Sequence, residues 1–202
     1  MKATPRRTTG RPRGFDADEA LGRALRVFWE HGYEGSSLAN LTDAMGISTA
    51  SMYATFGNKE QLFRKALERY DNSMSAYAQV ALAEPTALDV ARSMLGGVIC
   101  STTDPGLPRG CLGVQGALAT GEGGREVRDL LAQWRANGFE RLHERFQRAA
   151  DEGDLPAGAD PAVLARYLHT LMSGIAVEAA TGVSAEELRG TADAALRTWP
   201  LL

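Results

Sequence analysis

The chain has little of what metal or nucleophilic catalysis requires. Its 202 residues include only two cysteines and three histidines. Cys100 and Cys111 cannot build a disulfide framework, which points to a reducing compartment, the cytoplasm. His31, His143 and His169 are scattered, with no His-x-x-x-His pair and no adjacent cysteine to complete a metal site. Glu140 and Glu144 flank His143 on a charged helix face, where such groups are ordinarily solvated. No run approaches the roughly 18 apolar residues of a membrane span. The start, Met1 to Arg7, is basic but has no apolar segment behind it, so it does not read as a secretory signal. Alternating β-branched runs are also missing, so no strand is expected, and with no strand there is no strand-borne phosphate loop. These absences weigh against an enzyme and imply neither metal nor cofactor. What is present is 44% hydrophobic residues, enough for a folded core.

Whole-chain charge conceals a local asymmetry. Lys and Arg total 22 against 25 Asp and Glu, a net charge of −3. Yet residues 1 to 15 carry Lys2, Arg6, Arg7, Arg11 and Arg13 and no acid. Gly10, Pro12 and Gly14 prevent this arm from being a helix. A cationic arm on a slightly acidic protein suggests a polyanionic partner.

Past the arm the periodicity is helical throughout. Asp16 with Glu19 predicts a capping box, and Ala20, Leu21, Ala24, Leu25 and Phe28 follow at helical spacing until Gly32. Two short helices fit next, Leu38 to Met45 capped from Ser36 or Ser37, and Thr49 to Thr55 capped by Ser48. Asn58, with Gln61 three residues on, opens a long helix running to Ala81, before Pro85. Further helices fit Leu88 to Ile99, Cys111 to Ala119, Val127 to Phe146, Val163 to Ala180, and a last one from Ser184 to Trp199. The fold class is all-α, divided into an arm (1–15), a helix-turn-helix unit (16–60) and a larger helical domain (61–202).

Leu38 to Phe56 has the helix-turn-helix layout, in which the second helix enters the major groove and the first crosses the backbone. Ala44, Met45, Ile47, Met52 and Phe56 supply its buried side. Thr49, Ala50, Ser51, Tyr53 and Thr55 remain outward, small and hydroxylic at the start as close approach to base edges requires. Lys59 adds charge at a helix N-terminus whose amides favour anions. Such a helix pair alone also fits a helical interaction module that binds no DNA.

The string is more specific than the layout. Gly32-Tyr33-Glu34-Gly35, Ser37-Leu38, Ala44-Met45-Gly46-Ile47-Ser48 and Met52-Tyr53-Ala54-Thr55-Phe56-Gly57-Asn58-Lys59-Glu60-Gln61-Leu62-Phe63 resemble the DNA-binding domain of TetR-family transcriptional regulators. Gly174 to Val177 and Ala194 to Trp199 are similar to the end of many such proteins. The resemblance implies a homodimeric repressor, of about nine helices, that leaves double-stranded operator DNA when an unknown small-molecule effector binds. It implies base contacts from Thr49, Ala50 and Ser51 and phosphate contacts from Ser37, Tyr53, Thr55 and Lys59. Arg11 and Arg13 would follow the minor groove.

Two further expectations concern the larger domain. Tyr77, Met94, Trp134, Phe139, Leu142 and Met172 are candidates to line an effector cavity, and Cys111 is counted among the ligand-binding residues. Dimerisation is assigned to Leu164, Leu168, Leu171, Ile175, Leu188, Ala192 and Leu196, as a four-helix bundle of the last two helices from each subunit, with packing against the sensor helices as the alternative cover for one of the two stripes. Cys111, opening a helix beside Arg109, is a candidate thiolate and hence an alternative switch through electrophile or oxidant modification. Cys100, within an apolar helix, is expected to be buried and inert.

Overall fold

A computed structural model describes residues 14–74, 76–118 and 124–199. Among these are ten helices and no strand: α1 Ala17–Gly35, α2 Leu38–Met45, α3 Thr49–Phe56, α4 Lys59–Met74, α5 Ala76–Leu82, α6 Ala87–Thr103, α7 Leu112–Leu118, α8 Arg125–Asp151, α9 Pro161–Thr181 and α10 Ala185–Arg197. Arg11 and Arg13 lie outside the described residues.

Side-chain caps set most of the helix starts. The Asp16 carboxylate accepts from the amides of Asp18 and Glu19. The box expected there is incomplete, because Glu19 pairs forward with Arg23. Ser37 caps α2 through the Asn40 amide, whereas Ser36 is buried and donates to the carbonyls of Gly32 and Val27. Asn58 and Gln61 cap α4 reciprocally, and Ser184 with Glu187 completes a capping box on α10. Gly32, at φ 69° and ψ 177°, breaks α1 where only glycine is unstrained. Gly46, at φ 68° and ψ 31°, makes the left-handed turn between α2 and α3.

Several bounds differ from the sequence reading. Pro161 takes the first position of α9 behind the Asp160 cap, so that helix begins before Val163. The segment from Asn58 to Ala81 is two helices. Ser73 donates its hydroxyl back to the Arg69 carbonyl at 2.7 Å, a bond that competes with the helix ladder near the end of α4. Hydroxyls of Thr102 and Thr103 make similar bonds to Val98 and Ile99 as α6 extends to Thr103.

The core falls into two clusters. The first joins α1 to α4, from Ala20 through Tyr70, to Cys111, Leu112, Val127, Leu131 and Ala176. Its aromatic centre is Phe28, with Phe63 edge-on at 5.0 Å. The second joins α5, α6, the end of α8, α9 and α10. Buried Arg145 donates to the carbonyls of Glu84 and Pro85 and ties α8 to the α5–α6 connection.

This second cluster contains the side chains expected at the dimer contact. Leu164, Leu168, Ile175, Leu188 and Ala192 are buried within the chain's own core, and Leu171 and Leu196 pack against it. The reason is α6, which lies against both α9 and α10 and covers their apolar stripes. The outward side of α9 is a different set: Val163, Arg166, Thr170, Gly174 and Val177 are exposed.

Candidate nucleic-acid interface and sensor cavity

On α3 the inward positions are filled by Met52 and Phe56, both buried against α1 and α4. This fixes which face points outward. Thr49, Ala50 and Tyr53 are exposed, and Tyr53 keeps 47% of its surface in water, an uncommon position for an aromatic ring. Ser51 is half-buried and its hydroxyl lies 2.9 Å from that of Ser48, so it belongs to the cap as much as to the outer face. Thr55 is half-buried. Ser37 is exposed at the start of α2; its oxygen accepts the Asn40 amide while its hydroxyl proton is left for another partner.

Lys59 occupies the first turn of α4. Its ammonium sits 4.3 Å from the centre of the Tyr33 ring, a cation–π contact that holds the long side chain in place. Burial lowers its pKa, and Glu34 nearby pulls the other way. The starts of α2, α3 and α4 therefore present Ser37, Thr49 and Lys59 together with the free amides of helix N-termini, an arrangement suited to phosphate oxygens.

A cavity of about 150 Å³ opens in the larger domain. Tyr77, Met94, Trp134, Leu142 and Met172 line it, as the sequence suggested. Phe139 does not. It stacks beneath the Arg166 guanidinium at 3.7 Å, on the outward groove between α8 and α9. The cavity's polar lining was not anticipated: Asp71 from α4, Arg135, Asn137 and Arg141 from α8, and His169 from α9. Spacing held part of the signal, since Trp134, Gly138, Arg141 and Leu142 recur on one face of α8. Nothing local points to Asp71, which reaches the cavity because its carboxylate accepts the Trp134 indole N–H at 3.0 Å.

Two glycines let the aromatic walls approach. A Cβ on Gly97 would lie 2.2 Å from the Tyr77 ring, and one on Gly113 would lie 2.2 Å from the Trp134 ring. Burial raises the Tyr77 pKa, with a smaller contribution from Cys111. His169 is held below its ordinary value, first by burial and then by Arg166 and Arg135.

Cys100 does not have the buried environment expected of it. Cys100 is exposed on α6. Cys111 is 8% exposed, does not line the cavity, and accepts the Tyr70 hydroxyl proton at 3.2 Å. Burial raises its pKa, although Tyr70 and the amides of Val114 and Gly113 oppose the shift. Arg109 turns away and donates to the carbonyls of Gly182 and Val183. The predicted thiolate is therefore not favoured in this conformation.

Among the described residues no cluster of histidine, cysteine and acidic side chains could hold a metal, and no helix is long and apolar enough to cross a membrane.

Residues 20–66 match the model of bacterial regulatory proteins of the tetR family, and residues 87–195 match that of the tetracyclin repressor-like C-terminal domain. The chain is 31% identical to the HTH-type transcriptional repressor ComR of Escherichia coli, over 98% of this chain and 95% of that one. It is 32% identical to the HTH-type transcriptional repressor AcnR of Corynebacterium efficiens, over 87% of each. A cysteine mutant of the TetR family transcriptional regulator CifR, solved with 26-bp double-strand operator DNA, superposes with a TM-score of 0.90 at 41% identity, covering 94% of this chain and all of that one. A TetR regulator from Rhodococcus superposes at 0.62 with 39% identity, over 92% of this chain and 99% of that one. With both halves of the sequence matched and the helix-turn-helix surface in place, the chain belongs to the TetR family of bacterial transcriptional regulators and is not an enzyme.

Proposed function

We propose that this regulator is a repressor that binds duplex operator DNA as a homodimer and leaves it when a small molecule enters the α5–α9 cavity. The observation that carries the DNA reading is the outer face of α3. Thr49, Ala50 and Tyr53 stay in water although Met52 and Phe56 between them are fully committed to the core. Thr49 and Ala50 are short enough for the backbone to approach base edges, with methyl groups that suit thymine. Tyr53, Ser37 and Lys59 flank them as phosphate contacts, and Ser51 and Thr55 contribute from the edge of the same surface.

The homodimer reading rests on the outward face of α8 and α9. Ala132, Ala136, Phe139, Thr170, Gly174 and Val177 line a groove there, small and apolar enough for a second copy's helices to approach closely. The repressor reading follows ComR and AcnR, both HTH-type transcriptional repressors. Release by ligand is supported by Asp71, which belongs both to the cavity wall and to α4, the helix whose start carries Lys59.

A salt titration of the full chain on operator DNA tests this reading. Several phosphate contacts per dimer predict a loss of affinity on the order of a thousandfold between about 50 and 200 mM salt. A flat response would favour a helical interaction module instead.

A further inference from the structure

We infer that the cavity between α5, α6, α8 and α9 selects a compact monoanion, a carboxylate on a flat or branched apolar body of about benzoate size. The inference rests on reading this cavity as the effector site.

Size sets the first limit. A volume of about 150 Å³ matches an engineered protein cavity that holds benzene, so long acyl chains and fused polycyclic molecules do not fit inside. The walls set the second limit. Tyr77, Met94, Leu142 and Met172 present ring, thioether and aliphatic surface, which suits an apolar body.

Charge sets the third. The cavity is lined by two arginines, Arg135 and Arg141, and one acidic residue, Asp71, whose carboxylate already accepts the Trp134 N–H. Most other arginine ion pairs in the described residues are satisfied along their own helix, as in Arg23–Glu19, Arg64–Glu60 and Arg92–Asp89. No described carboxylate lies within ion-pair distance of Arg135 or Arg141. Arg141 is exposed and Arg135 is half-buried. An incoming carboxylate thus has forked donors within reach in the cavity lining while its body packs on the apolar walls. Burial first, and then the positive potential of Arg166 and Arg135, lowers the His169 pKa, which disfavours a further positive charge there. An ammonium ligand meets the same potential with the wrong sign.

The test uses the full chain and three probes of one shape: benzoate, benzyl alcohol and benzylamine. Each is titrated calorimetrically, and operator release is followed by fluorescence anisotropy. Benzoate is expected to bind about tenfold or more tighter than either other probe, to raise the melting temperature and to release operator. Arg135→Gln and Arg141→Gln should each weaken benzoate by about tenfold, whereas Arg128→Gln, elsewhere on α8, should not. Benzyl alcohol binding as tightly as benzoate and releasing operator would overturn the anion selectivity but leave the effector reading intact. Benzoate binding through both arginines with no effect on operator would leave the anion site standing and overturn the effector reading. No binding by any of the three would overturn both.

Discussion

Tyr53 and Lys59 are proposed phosphate contacts of different chemistry, one neutral and one charged. Tyr53 keeps about half of its surface in water and its side chain makes no hydrogen bond among the described residues, so Tyr53→Ala should lower the melting temperature only slightly while weakening operator binding. Lys59→Gln should weaken binding on every sequence alike and reduce the slope of log affinity against log salt by about one per subunit. Anisotropy titrations at several salt concentrations check both; an unaltered slope for Lys59→Gln would remove that residue from the phosphate contacts. The cysteines make a further residue-scale prediction. Because burial raises the Cys111 pKa and Cys100 is exposed, iodoacetamide should label Cys100 first, and Cys111 only after unfolding or at pH well above that needed for a free thiol. Peptide mass spectrometry reads the order directly, and early labelling of Cys111 would restore it as a candidate switch.

The proposed coupling between the DNA-binding surface and the cavity would run through whole elements. α4 begins with Lys59 and passes Asp71, so one rigid helix joins the phosphate-facing surface to the cavity wall. Its tie to α8 is the Trp134–Asp71 hydrogen bond. A double-mutant cycle of Trp134→Phe and Asp71→Ala on urea unfolding should give a coupling of about 1.5–3 kcal/mol, the range for a bond to a charged acceptor. Additive effects would mean that the two helices are held together elsewhere. Loop 104–111 is tied to α1 as well, through Arg26 to the Gly106 carbonyl and Trp29 to that of Gly110.

Helix starts and turns were the readily legible features, because a cap or a left-handed glycine acts within a few residues: Ser37, Gly46, Ser48, Asn58 and Ser184 all serve as read. What lies across from a residue is not local. Glu19 chose Arg23 over the helix start, and Cys111 met Tyr70 from another helix rather than Arg109 two residues away. The apolar stripes of α9 and α10 were identified correctly as buried surface but not by what buries them. Half of the cavity was visible as aromatic and methionine residues at helical spacing. Its charged half was hidden because arginine on an amphipathic helix looks like any solvated face.

For the molecule as a whole, the decisive question is which face of α9 meets a second subunit. Two reading helices must lie about 34 Å apart to engage successive turns of one duplex face, and a single subunit carries only one. The inward leucines cannot supply that contact without opening the core: Leu168→Ala should cost about 2–5 kcal/mol of stability through a buried cavity. The outward face can. Val163 and Val177 keep 52% and 37% of their surface exposed in the single chain, and Gly174 between them lets another backbone approach. Gly174→Arg places a long cation on this open face, where nothing within the chain obstructs a side chain. The variant should fold with the helical content of the parent yet sediment as a monomer. Its operator affinity should fall by about a hundredfold or more, because the second half-site is no longer bound as part of the same particle. Sedimentation velocity separates the two faces cleanly: a dimer that survives Gly174→Arg but dissociates in a still-folded Leu168→Ala variant would return the interface to the inward stripe.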